Sequence, residues 1–387
     1  MMNNNFNKLS DFADYSKAKI AVSDIDTKHY FSTENMLPNK GGVTEAAGLP
    51  TQDNVTKVLP GNVLVSNIRP YFKKIHYANE LAGASNDVLC FVAKNGCLAH
   101  YLYYLLSSDS FFDYMMAGAK GTKMPRGDKG QIMNYPVWVP DHNEQQRIVS
   151  VLSALDKKIE NISAINHNLE EQIRTLFETF CINNPQSFNW KQGTIADLGK
   201  VVGGSTPSKA KTEYYTADGI AWITPKDLSS NKAKFISKGE LDITPLGFKN
   251  SSAVIMPRGT VLFSSRAPIG YISIAKNEVT TNQGFKSVIP HPHIGTAFVY
   301  CFLKHNLAKI ESMASGSTFK EVSGGIMKSV PAIIPDAETL EHFSTVTQPL
   351  FEQQELLEME NQRLAQLRDA LLPKLMSGEI DVSELEV

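Results

Sequence analysis

The chain has 387 residues, 42% hydrophobic and 20% charged, with a formal net charge of −2. That is the length of two or three domains and the composition of a soluble globular protein. No apolar run approaches the ~18 residues that a membrane span needs. The polar opening MMNNNFNKLSDF has no signal-peptide core, so a cytosolic protein without a membrane role is expected.

Residues 1–140 predict a mixed, strand-rich block. VLVSNI (63–68) and VLCFVA (88–93) predict strands, and the aromatic stretch 98–118 a helical piece. Pro136 and Pro140 are expected to stop this block, and Asp141 and Asn143 to cap a long helix. From Glu144 to Phe180, apolar residues fall at Ile148, Leu152, Leu155, Ile159, Ile162, Leu169, Ile173, Leu176 and Phe180, with Asn166 as the one polar interruption. Steps alternating between four and three residues mark a coiled-coil seam. No Gly or Pro interrupts it, and about 37 residues at ~1.5 Å each give a helix of roughly 55 Å. Such a helix needs a partner for its stripe.

A second globular block runs from the breaker Asn183-Asn184-Pro185 to Pro335. It contains VVGGSTPS, AWITPKDL, VLFSSRAPIGYISIA, TNQGFKSVI and a helical segment at 296–312. A second long helix begins at Asp336 and is expected to stop near Leu372, before Pro373 and Gly378.

The halves repeat. Residues 30–40 match 222–232 at an offset of 192. Gly61, Val63, Leu64, Ser66 and Pro70 match Gly259, Val261, Leu262, Ser264 and Pro268 at 198. Gly121, Pro136, Pro140, Leu155, Ile162, Asn166, Leu169 and Leu176 match Gly316, Pro331, Pro335, Leu350, Leu357, Asn361, Leu364 and Leu371 at 195. Two equivalent stripes separated by a compact block predict an antiparallel helix pair with pseudo-twofold symmetry and a globular domain at each end. Gln354, Asn361 and Arg368 are polar seam positions that weaken the pair but fix its register, with Asn166 expected opposite Asn361.

Charge follows the same division. Net charge is +2 over 1–140, −3 over 141–183, +8 over 184–335 and −9 over 336–387. Electropositive globular blocks suit a polyanion; acidic helices do not. Catalytic signatures are missing: there is no phosphate loop, HExxH, GxSxG or GxGxxG. Asn183-Asn184-Pro185-Gln186 only superficially resembles an amino-methyltransferase motif and lies where a linker is needed. Cys90, Cys97, Cys181 and Cys301 are scattered and read as small buried hydrophobes. His291-Pro292-His293 reads as an exposed turn rather than a metal site, and Trp190 and Trp222 as core. Binding rather than turnover is expected, with no catalytic or metal residues.

For phosphates and base edges the useful residues are Lys, Arg, Asn, Gln, Ser and Thr on loops. The first block offers Asn67, Arg69, Lys73 and Lys74, then Lys120, Thr122, Lys123 and Arg126 around Gly121. The second offers Gly203 and Gly204, expected to bring backbone N–H groups to a ligand, then Ser205, Thr206, Lys209 and Lys211. It also offers Arg266, Asn282, Gln283, Ser317, Thr318 and Lys320. Each cluster alone reads as a solvated loop; recurrence at equivalent places in two repeats favours binding.

The order GGSTPS, AWITPKDL, RGTVLFSSRAPIG, TNQGF and SGSTFKEVSGGIMKSVPAIIP, followed by a long helix, resembles the specificity subunits of type I restriction–modification enzymes. The first half, through YPVWVPDHNEQQRIVSVLSALDKKIE, is similar to the same family. The resemblance implies an α+β fold. Two mixed α/β target recognition domains (1–141 and 183–335) would be joined by two long helices (142–182 and 336–376) in an antiparallel coiled coil, with a tail at 377–387. Each domain would read half of a bipartite double-stranded DNA target, and the helices would set the spacer and carry two methyltransferase subunits, with restriction subunits added. S-adenosylmethionine, ATP and Mg would belong to those partners. The tail PKLMSGEIDV would pack near the N-terminus. The first half departs from the pattern in lacking a Gly-Gly-Ser-Thr-Pro loop; Ala13-Asp14-Tyr15-Ser16 stands near its place. Two other readings are the recognition partner of a different multisubunit restriction–methylation enzyme and a coiled-coil scaffold with no nucleic-acid role. A salt-titrated mobility shift separates the scaffold from the others.

Overall fold

The computed structural model describes residues 7–230, 233–316 and 320–384. The chain forms two compact units, Met1–Ile159 with Arg363–Val387, and Glu160–Gln362. The division cuts both long helices, so each unit contains one globular block and a piece of each helix.

In the first unit, Asn7–Lys8 pairs with Pro136–Val137 and ties the two ends of the block together. Pro136 is therefore a strand residue as well as a boundary. The main sheet is antiparallel, in the order Ala13–Tyr15, Val88–Ala93, Val63–Ser66, Ile75–Tyr77. A second sheet of Lys19–Ala21, Asn54–Val58, Ala82–Ala84 and Tyr30–Phe31 lies in the same block. Helices Ala99–Leu106 and Asp109–Ala117 supply Tyr101, Phe111 and Phe112 to the core beneath Phe91.

The second unit repeats this plan. Lys191–Thr194 pairs with Pro331–Ile334. The main sheet runs Gly199–Gly203, Lys286–Pro290, Val261–Ser265, Ile269–Ala275, the order of the first unit, with Phe235–Ile236 added in parallel at the edge. The sequence matches become shared geometry. Ser32 N donates to Asn35 Oδ1 and Thr224 N to Asp227 Oδ2, both at 2.7 Å. Gly61 and Gly259 both turn in the left-handed region, at φ 88° and 84°, where a side chain is strained. The second sheets agree in one parallel pair, Tyr30–Phe31 with Ala82–Ala84 and Ile220–Ile223 with Thr280–Thr281, and differ in how their other strands attach.

The first long helix is His142–Phe177, continued by a wider turn over Glu178–Ile182. Asp141 caps it by accepting from Glu144 N at 2.9 Å, and Asp336 caps the second helix through Thr339 N at 2.8 Å. The second helix, Ala337–Met376, does not stop at Pro373. A proline inside a helix removes one hydrogen bond. Here Leu372, Leu375 and Met376 sink into the first unit's core beside Leu9, Ile148 and Leu152, which offsets that loss. Val382 of the tail joins the same core.

Both units show the helices antiparallel. In the first, Asp156 meets Arg368 at 3.0 Å while Ile148 and Leu152 share a cluster with Leu372 and Leu375. In the second, Asn361 Nδ2 donates to Ser163 Oγ at 2.9 Å, and Ile173 and Phe177 share a cluster with Leu340 and Phe343. Asn166 does not face Asn361. Equivalent positions of two antiparallel helices meet only at the symmetry centre, and these lie about one turn beyond it. Gln354 Nε2 instead donates to the Asn166 carbonyl at 3.1 Å. The seam's last turn buries Phe177, 2% exposed, more deeply than Phe180.

The second block is fastened to its helices by Lys234. Its ammonium is buried, 2.8 Å from Glu170 of the first helix and 2.7 Å from Gln354 of the second, and it sits 3.6 Å from the centre of the Phe351 ring. Glu358 accepts from the backbone N–H groups of Lys234 and Phe235. Burial pushes the Glu170 carboxyl up, but the Lys234 ammonium and the Tyr300 hydroxyl outweigh it and hold it below the usual range. Removing one member of a buried pair strands the other, at a cost of roughly 3–5 kcal/mol. Lys234→Met is accordingly expected to lower the thermal midpoint of unfolding. Lys234→Met with Glu170→Gln is expected to regain most of the loss; a single variant that melts with the parent would refute this role.

Candidate nucleic-acid interface

In the second unit, the predicted residues gather around an open groove of about 730 Å³ lined by Thr206, Lys209, Arg266, Asn282 and Gln283. Two of its walls are loops that follow strands. Gly204 lies so close to Thr281 and Asn282 that a Cβ there would come within 2.0 Å of the Asn282 carbonyl. Ser205 N donates to the Thr281 carbonyl at 2.8 Å. Gly204 thus seats the loop on its neighbour, and Ser205's backbone N–H is consumed internally rather than offered to a ligand. Trp222, 5% exposed, braces the same loop by donating from Nε1 to the Ser205 carbonyl.

Polar tips remain on the groove. Thr206 donates to Gln283 Oε1, and Asn282 Oδ1 is fixed by the Gly284 N–H at 2.8 Å. Arg266 and Lys286 share Glu321, at 3.5 and 3.2 Å, so one carboxylate faces two cations. Lys226 of the AWITPKDL stretch, which is not among the residues expected to bind, also lines the groove and pairs with Glu240 at 2.5 Å. Lys211 lies outside the groove, with its ammonium 5.3 Å from the Tyr214 ring centre. Lys320 is exposed beside Glu321; Ser317 and Thr318 lie outside the described residues.

In the first unit, the predicted residues Lys120, Thr122, Lys123 and Arg126 lie on a hairpin. Lys120 and Arg126 exchange backbone hydrogen bonds at 2.9 Å, and Arg126 bridges to Ile68. Arg69 N donates to the Pro125 carbonyl at 2.8 Å, which brings Arg69 beside the hairpin. Ser315 and Glu321 form the same bridge in the second unit, at the 195-residue offset. Thr122, Lys123, Arg126 and Lys120 are exposed, with Arg126 paired to Asp87 at 3.1 Å and Lys120 to Asp128 at 2.7 Å. The Lys120 ammonium, with the backbone N–H groups of Gln131 and Gly130, holds the Asp128 carboxyl at about 2.

Three of the first block's predicted residues are engaged by partners within the fold. Asn67 is 8% exposed and its backbone joins Asp87 and Gly127. Lys73 pairs with Asp109 at 3.0 Å, and Lys74 donates to the Thr33 carbonyl at 2.5 Å, with burial pushing its ammonium down. A sequence shows which residues carry charge but not which carbonyl or carboxylate the fold brings to them. No group of three or more metal-ligating side chains occurs among the described residues, and no described helix is long and apolar enough to cross a membrane.

A family model for the type I restriction modification DNA specificity domain matches residues 2–171 and 188–366. The chain is 42% identical over 160 residues to the type I restriction enzyme MjaIX specificity subunit of Methanocaldococcus jannaschii, covering 41% of this chain and 37% of that one. It is 23% identical over 434 residues to the HindI specificity subunit of Haemophilus influenzae, covering 91% and 94%. Among solved structures, the type I restriction–modification S subunit from M. genitalium shares the fold with a TM-score of 0.57 at 17% identity, covering 97% and 98%.

Two of the groove's cations are expected to differ in effect when replaced. Arg266→Ala is expected to weaken specific duplex binding by about tenfold, since a good Arg–base contact is worth ~1–3 kcal/mol. Lys209→Ala is expected to weaken binding evenly across sequences and to lower the salt slope by about one. Salt-titrated binding isotherms check both, and unchanged isotherms would remove these residues from the interface.

Proposed function

We propose, from the premise that this chain belongs to the family of type I restriction–modification DNA specificity domains and is its non-catalytic DNA-recognition subunit, that each globular block reads one half of a bipartite target. In this reading the two long helices set the spacer. The observation that carries it is the repeated sheet order, with polar, cationic loops on each unit: the hairpin 120–126 beside Arg69 on the first, and the groove at Thr206, Arg266 and Gln283 on the second. Two copies of one reader, differing in their loops, suit a target whose halves differ in sequence. Direct readout depends on side chains at base edges, and those are what diverge here.

The acidic helices suit protein partners. We assign two methyltransferase subunits to them, with restriction subunits joining the assembly in the cytoplasm. S-adenosylmethionine, ATP and Mg would be held by those subunits. Sequencing the methylated sites in DNA from cells carrying this chain with its methyltransferase tests the reading: a two-part motif with a fixed gap supports it, and a continuous motif refutes it.

Matched insertions of four residues in both long helices add one turn, about 6 Å. The gap is expected to lengthen by about one or two base pairs at ~3.4 Å each while both half-site sequences stay the same. An unchanged gap would show that the helices do not set it.

A further inference from the structure

The first block has an apex that the groove of the second block lacks. Among the described residues, five non-glycine residues have left-handed backbones, and four of them, Asn39, Lys40, Arg69 and Lys73, meet at this one place, at φ 50–60°. Each such conformation costs on the order of 1 kcal/mol and persists only where the surroundings impose it. Here Asn39 N donates to the Phe72 carbonyl at 2.7 Å and Lys40 N to the Lys73 carbonyl at 2.9 Å. Asp109 clamps both Lys40 and Lys73, at 3.2 and 3.0 Å. The strained frame holds out the turn Pro70–Phe72.

That turn presents Tyr71, 47% exposed, leaning on Phe72 with ring centres 4.7 Å apart. The Lys74 ammonium lies 5.7 Å from the centre of the Phe72 ring, so Phe72 is already engaged and Tyr71 is the outer ring. Exposed Lys123 and Arg126 stand on the adjoining hairpin, and the Nε of Arg69 is buried without a hydrogen-bond partner. The fold does not require any of this. The corresponding turn of the second block has Ile269 and Gly270 in place of Tyr71 and Phe72, and Ala267 is the one described non-glycine residue with a left-handed backbone there. An exposed aromatic ring, rigidly held among cations, fits a stacked base with phosphates on either side.

We propose that Tyr71 is a base-stacking residue that unstacks one step of duplex DNA at the half-site read by the first block, with Phe72 and the Asn39–Lys40 and Arg69–Lys73 frame holding it in place. This rests on the reading that the first block binds a half-site. The surface takes DNA rather than protein because the charged groups around it are mainly cationic, Lys40, Arg69, Lys73, Lys123 and Arg126 against Asp87 and Asp109, whereas the surface assigned to protein partners is acidic.

The test uses the full chain without methyltransferase partners, so that no catalytic base flipping contributes. The probe is a duplex carrying the mapped target with a fluorescent base analogue placed in turn at each position of the first half-site. Wild-type protein is expected to raise the fluorescence at one position. Tyr71→Ala is expected to abolish that rise and weaken binding about tenfold, with an unchanged melting temperature, and Tyr71→Phe to retain both. No rise at any position, or an equal rise with Tyr71→Ala, would overturn the proposal. Scrambling the first half-site distinguishes the two levels: if wild-type affinity does not change, the half-site reading itself has failed.

Discussion

A long helix with an apolar stripe is stable only when the stripe is covered, and in each unit the cover comes from the opposite end of the sequence. Ile148 and Leu152 are buried with Leu372, Leu375 and Met376; Ile173 and Phe177 are buried with Leu340 and Phe343. Neither block therefore has a complete core until the second long helix has been made. The helices act as structural parts of the readers as well as connections between them. This accounts for a boundary between compact units that falls inside the helices, near Ile159 and Gln362, rather than at the ends of the globular blocks.

The polar seam positions show how such a pair keeps its register. Each has a specific answer on the partner helix: Arg368 on Asp156, Asn361 on Ser163, Gln354 on the Asn166 carbonyl. Sliding by one turn would break all three contacts, and at Gln354, 3% exposed, an unmet polar group is costly. Lys234 extends the same logic to the block itself. Its ammonium is satisfied only where Glu170 and Gln354 come together, so the edge of the second block fits the helix pair in one position. In the first unit Tyr104 has a comparable part, donating to Asp156 at 2.7 Å.

The repeated plan was legible because it is written in spacings. Offsets near 195 survive as shared strand order, paired caps at Asp141 and Asp336, and matching left-handed glycines at 61 and 259. The candidate site was legible in part. Thr206, Lys209, Arg266, Asn282 and Gln283 do converge on one groove, although they come from three separate stretches of sequence. Asn67, Lys73 and Lys74 looked equally suitable and are engaged by Asp87, Asp109 and the Thr33 carbonyl, because charge and residue type do not reveal which partner the fold brings near. Tyr71 and Phe72 carry no such signal in the sequence, because aromatic residues are usually core, and only exposure in the folded turn distinguishes them.

The amino-acid sequence by itself determined the two blocks, the two long helices and their antiparallel sense, since periodicity and repeat spacing are properties of the chain taken locally. It also determined that the blocks are cationic and the helices acidic. The tertiary structure decided what depends on contacts between distant residues: the facing of Gln354 rather than Asn361 on Asn166, the passage of the second helix through Pro373, the use of Gly204 for close packing, and which cations remain at the surface. Those outcomes follow from satisfying buried polar groups and filling cores, and the distances that decide them do not exist until the chain has folded.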